Sequence, residues 1–108
     1  MAEGSIQSAI LDYLNSIPGC IAENVSGNAN QSGRADVNAC YRGHCLKLEL
    51  KDPKTGYKPS AQQLLYIKKW KLAGAYTGVC YSIADVKKIL KQIDEVEDEI
   101  SRVMDNSR

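Results

Sequence analysis

Two acids and a lysine are the residues of this sequence with the clearest capacity for chemistry. Asp36 follows Gly33-Arg34-Ala35 directly, and twelve residues separate it from Glu49-Leu50-Lys51. Residues 45–51, Cys-Leu-Lys-Leu-Glu-Leu-Lys, alternate with period two, which predicts a strand carrying Leu46, Leu48 and Leu50 on one face and Lys47, Glu49 and Lys51 on the other. Glu49 and Lys51 therefore project side by side. The plain alternative is an exposed edge on which these three polar side chains are merely solvated. Asp36 changes the balance, because it heads the preceding strand and can sit opposite Glu49. Two adjacent carboxylates raise each other's pKa unless a cation lies between them, and a hard divalent ion such as Mg²⁺ takes oxygen ligands of this kind. Such an ion can orient a phosphodiester, lower the pKa of a water and offset charge on the leaving oxygen. Lys51 can stabilise the extra negative charge of the transition state or position the attacking water. Together these groups would account for each part of a site that hydrolyses phosphodiesters.

The elements that must position these residues follow from pattern and punctuation. Ile6, Ala9, Ile10, Tyr13 and Leu14 recur at helical spacing over 5–14, and Pro18-Gly19 stops that helix. Residues 20–25 form a short apolar strand, and residues 26–33 a polar, glycine-bearing loop. Residues 36–41 and 45–51 read as two strands joined at Arg42-Gly43-His44. His44 in that turn is expected to be solvated, and Cys40, His44 and Cys45 lack the Cys-x-x-Cys spacing of a zinc knuckle. After a loop holding Pro53, Gly56 and Pro59, Ser60-Ala61-Gln62-Gln63 matches a capping box at the start of a helix that runs to about Ala73, with Gly74 as its C-cap. Gln63, Ile67, Trp70 and Gly74 share one helical face, expected to pack on the sheet. Gln63 rather than Gln62 is thus placed to hydrogen-bond a water or a catalytic carboxylate, unless its role is confined to the cap.

Residues 76–81 have strand composition, and Ser82 to Asp85 opens a last helix. In it Ile89, Ile93, Val96, Ile100 and Val103 form a two-repeat heptad seam, which serves either folding back on the domain or a dimer contact. Helix, strands, helix, strand, helix is the order of an α/β domain with helices packed on a mixed sheet.

The spacing from Asp36 to Glu49-Leu50-Lys51 resembles the motif of the PD-(D/E)XK nuclease superfamily, and further features resemble one branch of it, the VRR-NUC domain of phage proteins and larger repair nucleases. Glu3 stands before the first helix as that branch's N-terminal acid does. Gly33-Arg34-Ala35-Asp36 resembles its Gly-x-x-Asp, residues 56–63 its Gly-then-Ser-x-x-Gln segment, and Gly74-Ala75 follows at the expected distance. Ala35 replaces the proline of the superfamily's name, a residue that shapes the turn without binding metal. The match spans about residues 3–86. It implies a restriction-endonuclease-like mixed β-sheet flanked by helices over residues 1–86, with residues 87–108 a continuing C-terminal helix. It also implies catalytic roles for Glu3, Asp36, Glu49, Lys51 and Gln63, and a centre for Mg²⁺ or Mn²⁺ at Asp36, Glu49 and the backbone carbonyl of Leu50. The substrate implied is branched DNA such as a Holliday junction, cut by a homodimer that is phage-encoded and acts in the host cytoplasm.

Charge taken alone suits either a solvated basic face or a nucleic-acid partner. The chain of 108 residues carries a net +1, but residues 1–84 hold nine Lys/Arg against six Asp/Glu, while residues 85–108 hold five against seven. Six lysines and a single acid fall within residues 51–71, and Arg34, Lys54, Lys58 and Lys68 are the candidates for phosphate contact. Two other readings use the same residues, a non-catalytic nucleic-acid-binding module and a nuclease acting on RNA. No apolar run is long enough to span a bilayer, and the N-terminus lacks the pattern of a secretory signal, so a reducing cytoplasm is expected for the four cysteines.

Overall fold

The computed structural model describes residues 3–25, 36–51 and 58–106, with side chains from Ile6 onward. Seven elements follow in order: α1 (Glu3–Asn15), β1 (Cys20–Asn24), β2 (Val37–Tyr41), β3 (His44–Leu50), α2 (Ala61–Leu72), β4 (Tyr76–Cys80) and α3 (Ile83–Asn106). The sheet has the order β1-β2-β3-β4. Its first three strands are antiparallel and β4 is parallel to β3, as a helical crossover between those two strands requires.

The β2–β3 hairpin is the centre of this arrangement. Arg42 (φ 51) and Gly43 (φ 84) form a two-residue left-handed turn of the type that matches strand twist. His44, expected in the turn, already pairs with Tyr41. Nor is it solvated: its Nε2 lies 2.6 Å from Glu97 Oε1 and its ring meets Tyr76 edge-on. Arg42 Nη1 donates to Asp94 Oδ1 at 2.8 Å, and the Tyr41 hydroxyl donates to the same oxygen at 2.7 Å. The turn end of the hairpin is thereby tied to α3.

Period-two alternation gives the sheet two different faces. Val37, Ala39, Leu46, Leu48, Leu50 and Cys80 pack against Ile10 and Leu14 of α1 and against Val86, Ile89, Leu90 and Ile93 of α3, forming the core. Gly78 allows α3 its close approach, since a Cβ there would lie 2.7 Å from Ile89 Cδ1. The other face of β3 does not form a solvated edge: Glu49 is 0% and Lys47 6% exposed, because α2 covers them. α2 closes at Ala73, one residue before the glycine expected to cap it.

α3 divides the two roles open to its seam. Val86, Ile89, Leu90 and Ile93 are buried in the core, while Val96, Ile100 and Val103, continuing the same seam, are exposed. The helix runs on past the sheet in a molecule measuring 51 × 27 × 22 Å. Among the described residues no helix is long and apolar enough to cross a membrane.

Candidate active site

The site lies at the C-terminal end of β3, on the face covered by α2. Strand alternation turns Glu49 towards that helix, and its Oε1 accepts a hydrogen bond from Gln63 Nε2 at 2.7 Å. Lys51 Nζ lies 3.5 Å from the same oxygen. The other oxygen, Oε2, is buried and has no hydrogen-bond partner among the described residues. A buried acceptor without a donor costs the desolvation of that atom, and the few such atoms in native folds require an explanation. Burial pushes the Glu49 carboxyl up to about 8, with the charge and close approach of Asp36 adding to the rise and Lys51 opposing it.

Asp36 stands one residue before β2. Its Oδ2 accepts the Leu50 N–H at 2.8 Å. Leu50 lies past the last register pair of β2 with β3, Val37 with Leu48, so the aspartate carboxylate takes the place of a ladder partner at this point. That bond fixes Asp36 beside Glu49.

Gln63 combines the two roles that its position in the sequence offered. Ser60 Oγ accepts the Gln63 N–H at 3.1 Å and Gln63 Oε1 accepts the Ser60 N–H at 2.8 Å, completing the capping box. Its amide nitrogen is left to donate to Glu49. The cap thus holds the rotamer that reaches the carboxylate.

Of the residues nominated from sequence, Asp36, Glu49, Lys51 and Gln63 come together, with Leu50 contributing main chain between them. Glu3 begins α1, but its side chain lies outside the described residues, as do Arg34 and Lys54. Lys58 and Lys68 are exposed, Lys68 on the side of α2 away from the sheet. One neighbour was overlooked. Lys47 shares the Glu49 face, donates to Asn38 Oδ1 at 2.7 Å and sits 3.9 Å from the centre of the Trp70 ring. The period-two pattern already placed it there; its burial depends on Trp70, whose arrival over Lys47 only the tertiary fold shows. Beyond Lys47 the same face stays open as a groove lined by Ile21, Glu23, Asn38 and Cys40.

Among the described residues no three His, Cys, Asp or Glu side chains gather, so a metal centre here would rest on two carboxylates and main-chain oxygen. The donor set fits a hard divalent cation: all oxygen, net negative, one atom buried and unpartnered.

No protein-family model matches the sequence, and no curated protein does. Among solved structures, one described as a VRR_NUC domain superposes with a TM-score of 0.66 at 25% identity, covering 82% of this chain and 94% of the other. The chain shares the fold of a VRR_NUC domain. The restriction-endonuclease-like architecture that the family resemblance implied is thus the one observed, a mixed sheet of four strands with three helices among the described residues. Within this VRR_NUC-like fold Asp36, Glu49 and Lys51 lie where the second and third strands bring both ends of the motif together.

Proposed function

We propose that this protein is a divalent-metal-dependent endonuclease that hydrolyses DNA phosphodiester bonds, with a preference for branched DNA. The observation that carries the reading is Glu49: a buried carboxylate with an unpartnered oxygen, beside a second carboxylate, a lysine and a glutamine. A purely structural or purely phosphate-binding face has no use for that arrangement, since two acids repel the phosphate that a binder must hold. Asp36, Glu49 and the Leu50 carbonyl are the groups that would hold Mg²⁺ or Mn²⁺. Bound there, the ion supplies Lewis-acid neutralisation of the phosphodiester.

The side chains perform the remaining work. Lys51 brings a positive charge to the place where the phosphorus gains a fifth oxygen and an extra negative charge. Water attacks phosphorus, the P–O bond to the leaving sugar oxygen breaks, and that oxygen takes up a proton. Gln63 holds Glu49 in one rotamer through Oε1 and leaves Oε2 facing the site. The open groove past Lys47 gives the strand a path, and Arg34, Lys54 and Lys58 supply contacts to flanking phosphates, whereas Lys68, on the far side of α2, is turned away from that path. The functional unit is a homodimer, because a two-fold pair can place one site on each of two strands of a junction. The resemblance to phage proteins adds that the enzyme is phage-encoded and works in the host cytoplasm.

The test is incubation of the protein with labelled four-way junction, duplex DNA and RNA, each with Mg²⁺, Mn²⁺ or chelator. Cleavage of the junction that stops on chelation is expected; inactivity on all three substrates sinks the reading, and cleavage of RNA alone moves it to the RNA alternative.

Two substitutions separate the roles of the capping box. Ser60→Ala removes the hydroxyl acceptor and should lower stability by about 1 kcal/mol, with cleavage little changed. Gln63→Glu keeps an oxygen for the Ser60 N–H and suits a helix N-terminus, but replaces the donor to Glu49 with a third acid. It should lose about 10-fold or more in cleavage rate, a loss that Ser60→Ala does not share, together with some stability from the new acid beside buried Glu49. Equal losses of stability in both variants, with equal activity, would show that Gln63 only caps the helix.

A further inference from the structure

Two helical surfaces of this chain are exposed, each combining large apolar side chains with charges of one predominant sign, basic on α2 and acidic on α3. On α2, Gln63, Tyr66, Ile67 and Trp70 turn to the sheet, and helical periodicity puts Leu64, Leu65 and Leu72 on the opposite side, with Lys68 among them and Lys69 and Lys71 at the margins. Leu72 is 79% exposed, α2 has no buried side chain, and it contains no acid. On α3, Val96, Ile100, Val103 and Met104 form the exposed stripe, with Glu97 and Glu99 at its margins and Glu95 beyond. Residues 94–106 carry six acids and one base. At 1.5 Å per residue the two surfaces are about 18 and 20 Å long, so each can cover the other.

We propose that the projecting half of α3 docks on the outer face of α2 in a second copy of this chain, and that the two copies exchange these contacts reciprocally. The inference rests on the homodimer reading given above and names the surface that makes it. Pairing like with like is disfavoured. α3 against α3 sets Glu95 and Glu99 near their own copies, and α2 against α2 opposes lysines, whereas the mixed pairing brings each lysine margin to a glutamate margin. A shallow notch between Tyr76 of β4 and α3, lined by Gln92, Glu95, Val96, Glu99 and Ile100, offers a seat for a leucine of the partner's α2. One helix pair is a small interface, but a two-fold exchange uses it twice and approaches the roughly 800 Å² per partner of stable complexes. Glu97 is held by His44 and Glu99 by Arg102 within the chain, which orders the acidic margins before docking. The consequence for the site is direct: α2 carries Gln63, and docking would add apolar cover to a helix whose own domain buries none of its side chains.

Charge reversal tests this with two variants and their mixture. In light scattering at tens of micromolar, the wild type should be a dimer, and Lys69→Glu/Lys71→Glu and Glu95→Lys/Glu99→Lys should each be monomers. Mixed in equal amounts the two variants should recover the dimer mass, because both exchanged contacts then pair opposite charges again. A native circular dichroism spectrum accompanies each sample, and recovery on mixing itself shows that both chains are folded. Dimers in both variants would overturn the surface while leaving the homodimer standing. Tighter association of Glu95→Lys/Glu99→Lys would assign the contact to α3 against α3. A monomeric wild type would overturn surface and homodimer together, and leaves junction cleavage to be judged by the substrate assay.

Discussion

Glu49→Gln is expected to reduce DNA cleavage by about 10³-fold or more, the scale of losing a principal electrostatic group from an active site, while the protein melts at the same temperature or higher. The two effects point in opposite directions for one reason. The carboxylate is enclosed under α2, has one oxygen without a donor among the described residues, and faces Asp36. Keeping a charge there costs folding energy, which is relieved when the carboxyl takes up a proton or a bound cation sits beside it. Glutamine has nearly the same shape. Its carbonyl oxygen can accept from Gln63 Nε2 as Glu49 Oε1 does, and its amide can donate to Asp36, so the fold loses a repulsion and no packing. The metal site loses a ligand charge, and Mg²⁺ affinity measured by calorimetry should fall with the cleavage rate. A variant that loses activity and stability together would show Glu49 to be a structural acid instead. Lys51→Ala supplies the contrast: its ammonium is the group that lowers the Glu49 pKa, so its removal should slow cleavage and leave Glu49 still harder to ionise.

The site was legible in sequence to the extent that it depends on strand geometry. Alternation alone put Glu49 and Lys51 on one face, and a short connection put Asp36 opposite them, as the Asp36–Leu50 hydrogen bond shows. Gln63 was legible through helical spacing from Trp70, although its dual role was not, because a capping box satisfies the local pattern completely and gives no sign that the amide nitrogen reaches further. Lys47 was hidden for a different reason. Lysine is rarely buried without an acid, and its shelter under Trp70 with a bond to Asn38 joins residues far apart in the chain. His44 was misjudged because turn residues are usually solvated, and Glu97, more than fifty residues away, is what covers it. The seam of α3 could not be resolved by period, since the same spacing serves a core and an interface; only the end of the sheet decides that Ile93 is buried and Val96 is not.

The stability of the metal-free protein should fall as pH rises from about 4.5 through 8, and Glu49→Gln should abolish that fall. The sign follows from the proton count. Folding raises the Glu49 pKa from 4.5 to about 8, so between those values the folded chain keeps a proton that the unfolded chain has lost. Unfolding then releases a proton, and each unit of pH favours the unfolded state by as much as about 1.4 kcal/mol. The contribution is fully present below pH 4.5 and lost above 8, and amounts to a few kcal/mol over the interval. Urea titrations of wild type and Glu49→Gln at pH 5, 7 and 9 isolate it: the curves should agree at the first pH and separate at the last, the variant being the more stable. The same proton should mark metal binding. At pH 7 the carboxyl must ionise to act as a ligand, so Mg²⁺ should expel close to one proton, and close to none at pH 9. Calorimetry in buffers of different ionisation enthalpy reads that number directly. Binding without proton release at pH 7 would place the ion away from Glu49, while parallel stability curves would show that the buried carboxylate is already paired in the metal-free fold.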